Sequence, residues 1–180
     1  MNIKKIINSW YVITGAPCSG KTTLIKKLEK MGHNVVHEVA RTYIDERISN
    51  GETIEKIRED EILFQNNILQ KKIDIENNLS KEHMTFLDRG IPDSYAYYKL
   101  YKIQSSVLFK NALKKCSYKK VFLLDQLPYD LDYARTETKE QQDELHKLLK
   151  QVYQKLGLTI IKVPIFTTKE DRVDFVLKNL

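Results

Sequence analysis

The sequence predicts an α/β fold, and three observations predict it. Five short runs rich in β-branched, aromatic and leucine residues alternate with longer stretches of helical periodicity. The first run, Trp10-Tyr11-Val12-Ile13-Thr14, leads directly into Gly15 to Thr22, GAPCSGKT, which fits Gly, any four residues, Gly-Lys and then Ser or Thr. Over Thr23 to Met31, Leu24, Ile25, Leu28 and Met31 then fall on one helical face. Strand, loop and helix therefore follow one another in the order that a phosphate-cradling loop requires.

The chemistry of that loop is geometric. Gly15 and Gly20 let the backbone of Ala16, Pro17, Cys18 and Ser19 fold into a tight concavity whose N–H groups converge. The helix opened by Thr22 and Thr23 adds its free N-terminal amides and the positive end of its dipole. Lys21 reaches β- and γ-phosphates, and the Thr22 hydroxyl suits a bound Mg²⁺. Cys18 contributes its backbone N–H, and oxidation of its thiol would obstruct the cradle. A chance match in a glycine-containing turn is the competing reading, and the flanking strand and helix argue against it.

Composition sets the wider limits. The chain, 180 residues with 42% hydrophobic and 30% charged side chains, four Pro and six Gly, reads as one ordered domain over residues 1–180. Thirty Lys and Arg against 24 Asp and Glu leave +6, carried by lysines scattered along helices, so no nucleic-acid partner is expected. Arginine is scarce (Arg41, Arg47, Arg58, Arg89, Arg135 and Arg172), and each one near a motif is a candidate phosphate ligand. Cys18 and Cys116 form no metal-type spacing or disulfide framework, which fits a cytoplasmic location. At the N-terminus Asn8 and Ser9 interrupt the apolar run, so neither a secretory signal nor a membrane span is expected. The oligomeric state is not specified.

After Gly32 ends the first helix, His33 to His37 reads as the second strand. Glu38-Val39-Ala40-Arg41 then opens a helix running toward Asn50-Gly51. In an open parallel sheet the ligand crevice lies beyond the carboxyl ends of the strands, so Glu38 and Arg41, one turn apart, face the crevice of the phosphate loop. Glu38 is then a general base or acceptor ligand and Arg41 an anion ligand; a local salt bridge between them is the alternative. Thr53 to Leu79 reads as one long helix capped by Thr53, with Ile57, Phe64, Ile68, Ile75 and Leu79 on the apolar stripe, Glu61 within it and Gln65 beside Phe64.

Met84 to Leu87 is the third strand, ending in Asp88-Arg89-Gly90. An acidic residue there suits Mg²⁺, and the Arg89 fork suits phosphate oxygens; a helix cap is the alternative for Asp88. Ile91 to Tyr101 forms a helix with a tyrosine cluster, and Ser106 to Cys116 another, with Val107, Leu108 and Leu113 as core contacts. Tyr118 to Leu124 is the fourth strand. Residues of about 125–140 lack a core pattern and read as a lid carrying Arg135, or as a plain exposed loop. The helix beyond places Leu145, Leu148, Leu149, Val152, Tyr153 and Leu156 on one face. Leu158 to Val163 is the fifth strand, Pro164 to Thr168 a loop able to touch a nucleotide base, and Lys169 to Leu180 the last helix.

The phosphate loop, Glu38-Val39-Ala40-Arg41, Leu87-Asp88-Arg89-Gly90-Ile91-Pro92-Asp93-Ser94, Arg135, Val163-Pro164 and Arg172-Val173-Asp174-Phe175 occur in an order that has a counterpart. Over about Trp10 to Leu177 the chain resembles the AAA-type P-loop ATPase/kinase family related to the ribosylnicotinamide kinase domain of the bacterial NAD regulator and, more distantly, nucleoside and thymidylate kinases. The resemblance implies a three-layer α/β/α P-loop NTPase fold with a parallel five-stranded sheet, a donor ATP or GTP with Mg²⁺, and a small acceptor bearing a hydroxyl. It implies a base role for Glu38 and an acceptor-reading role for Phe64-Gln65. The adenylyltransferase domain of the NAD regulator has no counterpart here, so a role in NAD metabolism does not carry over, and regulatory relatives keep the acceptor open.

The expected function is a small-molecule kinase acting on a nucleoside-like hydroxyl. Lys21 and Arg135 offset transferring charge, Thr22 and Asp88 hold Mg²⁺, and Glu38, Arg41, Gln65 and Arg89 bind the acceptor. The alternative is a nucleotide-dependent regulatory NTPase without an acceptor.

Overall fold

A computed structural model describes residues 8–127 and 137–180. Its strands are β1 (Trp10–Thr14), β2 (Asn34–Val36), β3 (Thr85–Asp88), β4 (Lys120–Leu124) and β5 (Ile160–Val163). Its helices are α1 (Lys21–Lys30), α2 (Val39–Ser49), α3 (Ile54–Ile57), α4 (Glu61–Asn78), α5 (Ile91–Leu100), α6 (Val107–Lys115), α7 (Lys139–Lys155) and α8 (Lys169–Lys178). All strand pairs are parallel, in the order β2-β3-β1-β4-β5.

Because successive side chains of a strand alternate faces, β1 feeds two cores. Trp10 and Val12 pack with Leu69 and Ile73 of α4, Tyr98 of α5 and Phe109 of α6, whereas Tyr11 and Ile13 pack with Leu24, Ile25 and Leu28 of α1 and Val173 and Val176 of α8. Helices therefore cover both faces, as an all-parallel sheet requires. The sheet and its three-layer arrangement agree with the expectation.

The register builds the site. Ile13 pairs with Asp88, Val36 with Leu87, and the Arg89 N–H donates to Ile13 O at 3.0 Å. The chain leaves β1 toward β2 and leaves β3 toward β4 on the opposite side, so a crevice opens between the carboxyl ends of β1 and β3. The loops after β1, β2 and β3 meet there.

Three local readings are corrected. Residues 53–79 are not one helix: Thr53 caps only α3, and Asp60 starts α4 by accepting the Leu63 N–H at 2.9 Å. A short acidic side chain before a helical run competes with continuation by capping the next helix. Val107 and Leu108 are exposed, and α6 instead buries Phe109 and Ala112, three residues apart on its inner face. Met31 lies just past α1 and is exposed, leaving Leu24, Ile25 and Leu28 as that helix's apolar face. Among the described residues no helix is long and apolar enough to cross a membrane.

Candidate active site

The phosphate loop is held from outside by its carbonyl groups. Gly15 O accepts from Arg89 Nη1 at 3.0 Å, Ala16 O from Lys21 Nζ at 2.9 Å, Cys18 O from the Leu127 N–H at 3.0 Å, and Ser19 O from Arg172 Nη1 at 2.7 Å. In a trans peptide C=O and N–H point in opposite directions, so tying the Gly15, Cys18 and Ser19 carbonyls outward turns the N–H groups of Ala16, Ser19 and Gly20 toward the concave side. The Ala16 carbonyl, followed by Pro17, orients no N–H and holds the Lys21 amine instead. Cys18 and Gly20 adopt left-handed backbone, with φ of 59 and 78°. A Cβ on Gly15 would lie 2.8 Å from Ser19 Oγ and 2.9 Å from Leu124 O, so only glycine fits against that turn.

Lys21 is buried, and its amine also donates to Ser19 Oγ at 3.2 Å. Burial and the neighbouring Arg89 charge lower its pKa to about 8, against the attraction of Glu38, Asp88 and Asp93. Thr22, the second residue of α1, is exposed, and it and Thr23 line one cleft with Lys21.

Arg89 is the hub of the floor. Its backbone is left-handed, with φ 71°, which is costly for a residue with a long side chain and is held by the packing around it. Nε donates to Glu38 Oε1 at 2.8 Å and Nη1 to Asp93 Oδ1 at 3.2 Å, while the guanidinium lies 5.5 Å from the Tyr97 ring centroid. Asp93, fully buried, also accepts from Thr14 Oγ1 at 2.6 Å, from the Gly90 N–H at 3.0 Å and from the Tyr153 hydroxyl. Burial pushes Glu38 upward, but Arg89 and Lys21 more than reverse it and hold the carboxyl at about 2. Asp88 experiences the opposite balance: burial and the Glu38 charge raise it to about 7 despite Lys21 and Arg89, and its Oδ1 has no hydrogen-bond partner among the described residues.

The cleft continues from the loop to a second wall. Arg41 and Ile44 of α2, Arg58, Phe64 and Gln65, and Ser94 and Tyr97 of α5 line it. Arg58 stacks 4.3 Å from the Phe64 ring centroid and donates from Nε to Glu61 Oε2 at 2.8 Å. Glu61 Oε1 accepts from Gln65 Nε2 at 2.8 Å, so the Gln65 amide is fixed. Ser94 lines the cleft, and its buried hydroxyl has no partner among the described residues.

The structure thus gathers Gly15, Ala16, Pro17, Cys18, Ser19, Gly20, Lys21, Thr22, Thr23, Glu38, Arg41, Gln65, Asp88 and Arg89 around one edge of the sheet. Glu38 pairs with Arg89, and the Arg41 charge adds to the attraction on its carboxylate. Asp88 does not cap α5; Gly90 does, with Asp93 accepting its N–H. Arg135 and most of the expected lid lie outside the described residues. The sequence reading gave no site role to Arg58, Lys72, Asp93, Ser94, Glu137 and Arg172, although Asp93, Ser94 and Arg172 stood in the segments of the family resemblance. Asp93, four residues after Arg89 at the start of a helix, and Lys72, four after Ile68 on the apolar stripe, carried a spacing signal.

Comparison with known proteins places this arrangement. The chain has TM-scores of 0.72 to crystal structures of NadR protein in complex with NR and with NAD and AMP-PNP, at 18% identity, covering 97% of this chain and 50% of those. It thus spans about half the length of the NadR chains. Deoxyadenosine kinase from M. mycoides with bound dCTP gives a TM-score of 0.64 at 14% identity, over 94% of this chain and 97% of that one. These likenesses establish a shared fold. No curated protein matches in sequence. A family model described as AAA domain matches residues 10–172, and the chain belongs to that AAA domain family.

Proposed function

We propose that this chain is a kinase that transfers the γ-phosphoryl group of ATP to the hydroxyl of a nucleoside-like small molecule. The observation that carries this reading is the continuity of the cleft: one end is the phosphate loop, the other a wall of Phe64, Gln65, Arg58 and Tyr97, and Glu38 lies between. A regulatory NTPase needs only the first of these. Ser94, a cleft-lining residue whose buried hydroxyl has no partner among the described residues, further supports a polar ligand there. That the NadR and deoxyadenosine kinase structures hold NR and dCTP is consistent with it.

In the transfer, the acceptor oxygen forms a bond to the γ-phosphorus as the bond to the bridging oxygen breaks, and ADP leaves. Glu38, held ionised by Arg89, accepts the acceptor hydroxyl's hydrogen bond and aligns its lone pair. A carboxyl near 2 is a weak base, so it takes the proton only as the new P–O bond makes that proton acidic. Lys21 and the loop amides stabilise the charge on the phosphate oxygens.

The residues present fit Mg²⁺. Asp88 offers a buried oxygen without a partner, Thr22 a hydroxyl, and no cage of three or more acidic, His or Cys side chains occurs among the described residues. That donor set suits an ion that keeps waters and nucleotide oxygens as its other ligands. When bound, Mg²⁺ would supply electrostatic neutralisation of the phosphates. Arg135 would add a cation to the transferring group.

The test is ATP consumption by the purified chain across a panel of nucleosides that includes nicotinamide riboside. A kinase consumes ATP stoichiometrically with one phosphorylated nucleoside. Consumption that is flat across the panel, together with tight ATP binding, would establish the regulatory NTPase instead.

A further inference from the structure

We infer that Arg172 is a positioning residue for the phosphate loop, acting from the far end of the chain on the peptide that presents the Gly20 N–H to phosphate. The inference rests on the reading of the loop as the site of the donor phosphates. Arg172 lies in the first turns of α8 and is 8% exposed. Its Nη1 donates to Ser19 O at 2.7 Å and its Nη2 to Pro164 O, at the exit of β5, at 3.2 Å. One planar group, 153 residues from Ser19 in sequence, therefore ties the phosphate loop to the end of an edge strand.

The consequence follows from peptide geometry. The Ser19–Gly20 peptide is trans, as all the described peptides are, so a carbonyl pulled toward Arg172 sends the Gly20 N–H away from it. Gly20 is at φ 78°, where glycine meets little resistance to rotation, and without an external tether this peptide is free to flip. A Cβ at Gly20 would lie 2.8 Å from Arg172 Nη1, so the close approach also uses the absence of a side chain. The neighbouring Cys18 carbonyl is held by a backbone N–H, that of Leu127; Ser19 O is held by a side chain and so depends on residue identity. Lysine cannot replace this, because an ammonium lacks the planar fork that reaches two carbonyls at fixed separation.

Arg172 also lines a second cavity with Thr23, Lys27, Leu127, Phe166 and Thr168. A role confined to contacting a ligand in that cavity would leave the phosphate end untouched. The two roles therefore separate by probe.

The experiment measures binding of inorganic tripolyphosphate and of ADP, each with Mg²⁺, to the full chain and to Arg172→Lys and Arg172→Ala, with unfolding midpoints and steady-state kinetics alongside. Loss of one charge-assisted hydrogen bond predicts a weakening of both probes by about 10- to 100-fold in Arg172→Ala, with a smaller loss in Arg172→Lys. KM for ATP rises accordingly while KM for the acceptor is unchanged. Arg172→Lys, close in volume and charge, keeps the test valid if the alanine variant does not fold. Unchanged tripolyphosphate binding in a folded variant overturns the inference, as does a lowered midpoint with both affinities intact, or weakened ADP binding alone. If the unaltered chain binds neither probe, the donor reading of the loop falls with it; if it binds both and the variants match it, only the inference about Arg172 falls.

Discussion

The two ends of the cleft are built by different means. At the phosphate end, peptide groups form the surface that meets the ligand, and four of the loop's carbonyls are fixed by Arg89, Lys21, Leu127 and Arg172. At the opposite end, side chains from α4, α5 and the turn after α3 form the surface and are fixed by one another: Arg58 to Glu61, Glu61 to Gln65, Arg89 to Glu38 and Asp93. A backbone cradle recognises only what all nucleotides share, whereas a wall of paired side chains can be re-lettered to change what it accepts. Donor binding and acceptor choice are thus separable within one cleft, and substitutions should divide along that line.

The largest effect is expected at the phosphate end. Lys21→Met removes the one buried cation that the loop itself supplies, and should lower kcat by about a thousandfold or more while the chain still folds. Retention of full activity would refute the kinase assignment. At the junction of the two ends, Glu38→Gln keeps the shape but loses the charge, so kcat should fall by about 10²- to 10⁴-fold with ADP affinity unchanged in a titration. A matched loss of ADP affinity would mean that Glu38 belongs to the donor end. At the acceptor wall the effect is smaller and of another kind. Gln65→Leu should raise the acceptor's KM about tenfold and leave the KM for ATP alone, since one neutral hydrogen bond is lost.

The same division explains what could be read before the fold was known. The phosphate loop is contiguous, so Gly15 to Thr22 announces its chemistry within eight residues and its strand and helix within a few more. Glu38 and Arg89 are 51 residues apart and become partners only because β2 and β3 are adjacent and in register. Their positions at strand ends were legible; their ion pair, and the resulting loss of basicity in Glu38, were not. The break between α3 and α4 turns on a single cap by Asp60, too small a signal against an apolar stripe that continues through it. Arg172 stood in one segment of the family resemblance, Arg172-Val173-Asp174-Phe175, but without a role, because its reach to Ser19 depends on α8 packing beside α1.

A smaller effect sharpens the contrast further, because peptide groups do not titrate and buried side-chain pairs do. Further along α4, outside the lining of the cleft, Glu76 is packed against α5, accepting from the Tyr118 hydroxyl at 2.8 Å and from the Ile91 N–H at 3.2 Å, with Lys72 and Asp93 as charged neighbours. Burial raises its pKa from 4.5 to about 7, the hydrogen bonds from Tyr118 and Ile91 and the Lys72 charge opposing only part of the shift. Between those two values the folded chain binds more protons than the unfolded one, so this group's contribution to stability declines as pH rises from about 4.5 to 7. The shift corresponds to a decline of about 3 kcal/mol across that window. In Glu76→Gln an amide oxygen still accepts from Tyr118 but nothing titrates, so the fall in unfolding free energy from pH 5 to pH 8, measured by urea denaturation, should shrink. It should not vanish, because Asp88 is raised to about 7 by the same burial. Equal slopes in the two proteins would show that the Glu76 carboxyl does not titrate in this window and would overturn the shift assigned to its burial.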